Sequence, residues 1–314
     1  MAPGDIGAAT PEATIPLPVG EIAAIGCEAS LADYVALLKP RVMSLVVFTG
    51  FTGMYLAPGT LHPILAAVAM LCIAVGAGAC GAINMWYDRD IDARMSRTVS
   101  RPLPMGRIDP ADALGFGVVL AVGAVAVMAL AVNHMAALLL AITIVFYVFV
   151  YTIWLKRRTP HNIVIGGAAG AFPPMVGWAA VTGDVSLASL ALFAIVFMWT
   201  PPHFWALALY RCGDYAKAGV PMMPVVAGRR ETRKQILLYT MLLLPISLAP
   251  WFLGFAGPLY AAAAAVLGAV FLGHGLILWL GDTDAAARRM FRFSILYLFL
   301  VFVALLADHA VAGG

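Results

Sequence analysis

The sequence predicts an all-α integral membrane protein with nine transmembrane helices, and three observations lead there. Hydrophobic residues make up 63% of the 314 positions and charged residues only 11%. Mean hydropathy is +0.94, outside the composition of ordinary soluble domains. Apolar runs near ~20 residues, the length that crosses a bilayer core, recur along the whole chain. All 19 Lys and Arg residues fall in alternate connections between those runs.

The expected spans are 42–57, 63–87, 110–132, 135–155, 162–182, 187–210, 235–256, 259–280 and 291–311. Backbone groups in lipid have to be satisfied within the segment itself, so uncharged runs of this length become helices. Lys39 and Arg41 precede the first span, and five arginines occupy 88–109. Lys156, Arg157 and Arg158 follow the fourth span, six basic residues lie at 211–234, and Arg288, Arg289 and Arg292 follow the eighth. The intervening connections (58–62, 133–134, 183–186, 257–258) hold no Lys or Arg. The positive-inside rule then places the N-terminus in the cytoplasm and the C-terminus outside.

The chain divides into a tail, 1–31, and one membrane domain, 32–314. The first 30 residues contain Asp5, Glu12, Glu21 and Glu28 and no basic residue. That pattern fits neither a transit peptide nor a signal peptide, so a disordered cytoplasmic tail and a bacterial inner (cytoplasmic) membrane are expected. Cys27, Cys72, Cys80 and Cys212 show no metal-ligand spacing and read as small apolar filler. No nucleic-acid partner is expected.

Against this apolar background, the segment "NMWYDRDIDARMSRTVSRPLPMGR" (84–107) concentrates Asp88, Asp90 and Asp92 with five arginines. If the second span continues as helix, Asn84, Asp88 and Asp92 fall at i, i+4 and i+8, stacked on one face about 6 Å apart. Two carboxylates and an amide oxygen are hard ligands suited to Mg²⁺, which takes its remaining ligands from water and substrate phosphates. Arg94, Arg97 and Arg101 follow, and guanidinium groups match phosphate oxygens. The combination describes a diphosphate site. Topology alone explains arginines here equally well, but acids contribute little to topology. Asp90 points off this face and is expected to be solvated or paired with an arginine.

A second constellation closes the sixth span: "TPPHFWALALYRCGDYAKAGVPMMPVVAG" (200–228). On one continuous helix His203, Tyr210 and Asp214 lie within about 40° of each other, with His203 about 16 Å deeper than Asp214. A histidine inside a membrane span is a candidate functional residue; a hydrogen-bonded structural histidine is the competing reading. Pro201 and Pro202 remove helix hydrogen bonds and are expected to kink the span and open a cavity. In "YTIWLKRRTPHNIVIGGAAGAFPPMVGW" (151–178), Gly166, Gly167 and Gly170 suit close helix approach. Room for a flat ligand is the alternative. A faint repeat sets the basic residues at 39–41 before Asp88 as those at 156–158 stand before Asp214.

"NMWYDRDIDARMSRTVSRPLP", "YTIWLKRRTPHNIVIGG" and "HFWALALYRCGDYAKAGVPMMPV" resemble the signatures of the protohaem IX farnesyltransferase (haem O synthase) family, a branch of the UbiA superfamily. The resemblance covers about residues 32–310. It implies nine transmembrane helices around a central cavity, haem b and farnesyl diphosphate as substrates, Mg²⁺ as cofactor and haem O as product. Haem A synthase and terminal-oxidase assembly factors are the implied partners. Asn84, Asp88 and Asp92 match the first metal-diphosphate motif, Arg97 and Arg101 the paired arginines before "PLP", and Asp214 the end of the second acidic motif. Tyr210 stands where many superfamily members have an acid, so Asp214 is the single acid of that motif here. His203 matches the haem branch's histidine and is implied to approach haem, as an iron ligand or as a base that positions water. Lys156, Arg157, Tyr210 and Lys217 complete the candidate substrate-binding set.

The implied chemistry is ionisation of an allylic diphosphate and attack by the haem vinyl group. Trp86, Tyr87, Phe204 and Trp205 are candidates to shield the cation. The rival within the enzyme class is a prenyltransferase acting on a phenolic or quinone-precursor acceptor. Outside it, a secondary transporter also has many helices, but here the acids cluster at one membrane face and the midplane carries almost no charge.

Overall fold

The computed structural model describes residues 29–312. Of the tail expected at 1–31, residues 1–28, with Cys27, lie outside the described residues. Ser30 already caps the first helix, α1 (Leu31–Leu37), accepting from the Asp33 amide while the Asp33 carboxylate accepts from Ser30. This reciprocal box satisfies two donors that a helix start leaves open.

Helix α2 (Pro40–Leu56) meets α1 at a 53° bend. Lys39 occupies the corner in the left-handed region, with φ 52°, and Pro40, lacking an amide hydrogen, starts α2 at no cost in hydrogen bonds. Then come α3 (Pro63–Tyr87), the short α4 (Arg89–Asp92) and α5 (Pro110–Val127), whose last turn is π-helical through Met128–Val132. Helix α6 (His134–Val145) likewise runs on as a π-helix over Phe146–Leu155. Phe172 and Pro173 interrupt the next span, giving α7 (Asn162–Ala171) and α8 (Pro173–Thr182). Helix α9 (Leu187–Tyr210) is followed by the short α10 (Cys212–Lys217) and α11 (Met223–Val226). The rest comprises α12 (Gly228–Ser247), α13 (Ala249–Phe252), α14 (Pro258–Gly281) and α15 (Asp284–Ala312).

Among the described residues, eight helical stretches are long and apolar enough to cross a membrane, and the bent α1–α2 pair makes the ninth. The nine expected spans are all present. Helices α12 and α15 begin about a turn and a half to two turns earlier than the apolar pattern marks, at Gly228 and Asp284. Charge ends a membrane span, but Arg, Lys and Glu are good helix formers, so the helix continues beyond it.

Two large apolar cores and a smaller one around Leu37, Met85 and Ile108 hold the bundle. One joins α3, α5, α6 and α8 through Cys72, Met128, Leu140 and Met175; the other joins α9, α12, α14 and α15 through Leu192, Trp205, Phe271, Tyr297 and Phe302. Helices α2 and α8 pack backbone to backbone. A Cβ on Gly53 would lie 2.0 Å from the Pro174 carbonyl oxygen, and one on Gly177 would lie 2.0 Å from that of Gly50. Small residues permit such approach where lipid offers no hydrophobic drive between helices. Of the glycines singled out in sequence, Gly166 faces the Tyr151 ring and Gly167 faces Thr200, as close approach requires, whereas Gly170 has nothing within 4 Å.

The connections rich in basic residues meet at one end of the bundle. Arg157 reaches Asp90, Ser96 reaches Asp214, and Arg229 reaches both the Leu209 carbonyl and the 282–284 turn. The Asn84–Asp88–Asp92 face and Asp214 sit at this basic end.

Candidate active site

The first motif keeps its helical register although the helix formally stops. Asp88 is the C-cap of α3, with φ −92° and ψ 10°. Its amide nonetheless donates to the Asn84 carbonyl at 2.9 Å, and the Asp92 amide donates to the Asp88 carbonyl at 2.8 Å. The i, i+4, i+8 stacking therefore holds. Asn84, Asp88 and Asp92 are all buried, Asp88 completely, and Asn84 Nδ2 donates to Asp88 Oδ2 at 2.7 Å.

Four basic side chains close on this face. Lys39 Nζ donates to Asn84 Oδ1 at 2.8 Å, Lys156 Nζ bonds Asp88 Oδ2, and Arg101 Nη1 bonds Asp92 Oδ2 at 2.6 Å. Arg157 Nη2 lies 3.6 Å from Asp88 Oδ1 and holds Asp90 through both guanidinium nitrogens at 2.7 and 2.8 Å. Asp90 is thus paired, one of the two expected outcomes. The Arg157 fork keeps the Asp90 carboxyl below its ordinary range, and Asp90 in turn raises Arg157. Burial alone would lower the Lys156 ammonium, but the Asp88 carboxylate holds it above the ordinary lysine value. Buried charges of this kind persist because each has a partner.

Lys156, Arg157 and Arg101 are therefore brought to the motif. Arg97 and Lys217 are exposed and have no ion pair among the described residues. Two neighbours escaped the sequence reading. Lys39 counted there only toward topology, and its left-handed corner before Pro40 is what turns its side chain to the site. Thr152 accepts from Asn84 Nδ2 at 3.2 Å, because the π-helix places Tyr147, Tyr151, Thr152 and Lys156 along one wall. Lys39 and Lys156, the leading basic residues of the two segments in the faint repeat, both reach the first motif.

The second motif departs from the single helix expected for it. Arg211, at φ −114° and ψ 16°, breaks α9 after Tyr210, and Asp214 sits in α10. The 40° and 16 Å relations of a continuous helix do not apply past Tyr210. The chain turns because Tyr215 and Ala218 bury themselves in the core, which leaves Asp214 to accept from Ser96 at 2.9 Å with Arg211 at 3.5 Å. Pro201 and Pro202 are buried inside an α9 that runs through them as one helix.

His203 is 8% exposed. Its ring stacks between Trp199 and Phe291 at centroid distances of 4.3 and 4.8 Å, and Nδ1 shares a 2.6 Å hydrogen bond with Ser294. Nε2 has no protein partner among the described residues. The four aromatic rings named as cation shields each pack on a neighbouring side chain. Trp86 lies under Arg89, Tyr87 under Arg157, Phe204 is edge-on to His203, and Trp205 packs on Tyr239. Tyr147 and Tyr151, 5.3 Å apart, hold the wall beside Thr152 and Lys156 instead.

The donor set fits a hard cation that shares its coordination with phosphate. Asp88 Oδ1 is buried without a hydrogen-bond partner, which leaves a carboxylate oxygen free on the motif's face. Among the described residues no three His, Cys, Asp or Glu side chains converge into a closed metal cage. Mg²⁺ suits such an open set because it usually keeps water and substrate oxygens.

The chain belongs to the UbiA prenyltransferase family, whose sequence model matches residues 46–304. Within that class its relatives are specific. The protoheme IX farnesyltransferase of Parvibaculum lavamentivorans is 61% identical over 289 residues, covering 91% of each chain. Protoheme IX farnesyltransferase 2 of Mesorhizobium japonicum is 58% identical over 90% of this chain and 92% of its own. Among solved structures, a digeranylgeranylglyceryl phosphate synthase aligns with a TM-score of 0.75 at 18% identity, over 89% of this chain and 98% of that one. A UbiA homologue from Archaeoglobus fulgidus bound to GPP and Mg²⁺ aligns with a TM-score of 0.62 at 18% identity, over 87% and 99%. These structures share the fold.

Proposed function

We propose that this enzyme transfers the farnesyl group of farnesyl diphosphate to a vinyl group of haem b and so makes haem O. It works in a bacterial inner membrane with the basic end and N-terminus cytoplasmic and the C-terminus outside. The donor half rests on Asp88, whose free buried oxygen lies among Lys156, Arg157 and the Lys39–Asn84 pair. The acceptor half rests on the relatives named protoheme IX farnesyltransferase, which cover nine-tenths of the chain.

Asn84, Asp88 and Asp92, with Asp214 from the second motif, would hold Mg²⁺, which when bound neutralises the leaving diphosphate. Lys156 and Arg101 now neutralise Asp88 and Asp92, and they are placed to turn to phosphate oxygens when those carboxylates take a cation. Arg97, which has no carboxylate partner among the described residues, and Lys39 add basic groups at the same edge, and Lys217 borders it from α10. Stabilising the departing charge is the largest contribution asked of the protein. The C1–O bond breaks with its electron pair on diphosphate, and the vinyl carbon forms a bond to C1. Water then adds to the porphyrin-stabilised cation and releases a proton. Tyr147 and Tyr151 offer aromatic faces beside the reacting end. His203 Nε2 and Tyr210 face the acceptor's side of the bundle. Haem A synthase and terminal-oxidase assembly factors are the partners proposed to receive the product.

The test is competition. Purified enzyme receives farnesyl diphosphate, Mg²⁺, haem b and a phenolic quinone precursor together, and the products are weighed by mass spectrometry. Farnesylated, hydrated haem supports the reading; a prenylated phenol with unchanged haem overturns it.

A further inference from the structure

An aromatic ladder descends from the basic end along the α9–α15 seam. Arg288 lies over the Tyr210 ring at 5.4 Å and Arg211 over the same ring at 5.9 Å. Tyr210 meets Phe291 at 6.1 Å, Phe291 stacks on His203 at 4.8 Å, and His203 stacks on Trp199 at 4.3 Å. On α15, Arg288, Phe291 and Ser294 follow at three-residue steps, each beside the next on the helix surface, with Arg288 about 9 Å above Ser294 at ~1.5 Å per residue. Tyr210 and Phe291 are only partly buried, so the top of the ladder is open.

Among the described residues Arg288, Arg289 and Arg292 of α15 all lack a carboxylate partner, and of the three Arg288 is the one that lies over the Tyr210 ring. Arg229 and Arg233 are tied to Asp282 and Asp284, and Arg211 stands 3.5 Å from Asp214. Arg288 has no carboxylate partner among the described residues. A guanidinium fork accepts a carboxylate bidentately, and the diphosphate already has its own cations at the Asn84–Asp88 face.

We propose that Arg288, with Arg211 beside it, anchors the propionate carboxylates of the acceptor porphyrin, whose flat ring then extends down the ladder toward His203. The proposal rests on haem b being the acceptor. It orients the porphyrin with its acidic edge at the membrane surface and the opposite edge deep in the bundle.

The test titrates full-length enzyme in lipid nanodiscs with haem b and with its dimethyl ester, following the Soret band. Wild type should bind haem b about tenfold or more tightly than the ester, as expected for losing a charged hydrogen bond. Arg288→Gln should weaken haem b by a similar factor and leave the ester unaffected, with Arg288→Lys between the two. The KM for farnesyl diphosphate should stay unchanged in both variants. Equal binding of haem b and ester by wild type overturns the anchor without any variant. So does an Arg288→Gln that weakens both ligands equally, which marks packing, or one that weakens only farnesyl diphosphate, which marks a phosphate contact. A wild type that neither binds nor prenylates haem b overturns the function itself, a result distinct from any of these.

Discussion

Ser96 and Asp214 are 118 residues apart in sequence and 2.9 Å apart in space, joined by a hydrogen bond from the Ser96 hydroxyl to Asp214 Oδ2. Two residues further along the same loop, Thr98 donates to the Asp92 carbonyl at 2.8 Å. The loop after the first motif therefore fixes the second. Ser96→Ala should lower kcat/KM by about threefold to tenfold, the worth of one hydrogen bond to a partly exposed charge. Asp214→Asn should cost more. Equal kinetics for Ser96→Ala and wild type would show that the link is incidental.

Asp88→Asn and Asp92→Asn should each reduce turnover by about 100-fold or more, since charge stabilisation at the leaving group is lost. Asp88→Asn also strands the Lys156 ammonium, whose side chain is 18% exposed. Breaking a largely buried pair costs about 3 kcal/mol or less at this exposure. Adding Lys156→Met should restore the melting temperature and leave the enzyme inactive. If the double variant regains turnover along with stability, Asp88 serves folding rather than chemistry.

Lys39→Met should raise the KM for farnesyl diphosphate and leave haem affinity unchanged, because Lys39 reaches Asn84 and no group of the α9–α15 seam. Membrane orientation should not change, since four other basic connections remain on the same side. An inverted protein with normal kinetics would return Lys39 to a role in topology alone.

Gly53→Ala and Gly177→Ala should each destabilise the protein by about 2–3 kcal/mol, because their Cβ atoms meet backbone oxygens that have no room to move. Gly170→Ala, with nothing within 4 Å, is the control and should melt at the wild-type temperature or slightly above. A Gly53→Ala protein as stable as Gly170→Ala would contradict the close crossing of α2 and α8.

The Asn84–Asp88–Asp92 face could be read from the sequence because its information is local. Asn84, Asp88 and Asp92 keep their spacing on any helix, and charge inside an apolar chain stands out. The nine spans follow from hydropathy for the same reason. What sequence could not supply was the meeting of distant segments and the breaking of local regularity. Lys39 reaches Asn84 only through a left-handed corner, and Thr152 and Lys156 align only through a π-helix. Asp214 leaves the His203–Tyr210 helix because Tyr215 is drawn into the core. Rings adjacent to a motif in sequence, such as Trp86 and Tyr87, turn out to cover arginines, while Tyr147 and Tyr151 arrive from another helix.

The central claim is that the buried Asn84–Asp88–Asp92 face performs farnesyl transfer to haem. Its most direct test is mass analysis of the porphyrins formed when wild type and Asp88→Asn, matched for haem bound, are given farnesyl diphosphate and Mg²⁺. Wild type should convert haem b to a species heavier by one farnesyl group and one hydroxyl, with one diphosphate released per product. Asp88→Asn should leave the haem unchanged. Unmodified haem from wild type, or equal conversion by the two proteins, would contradict the account.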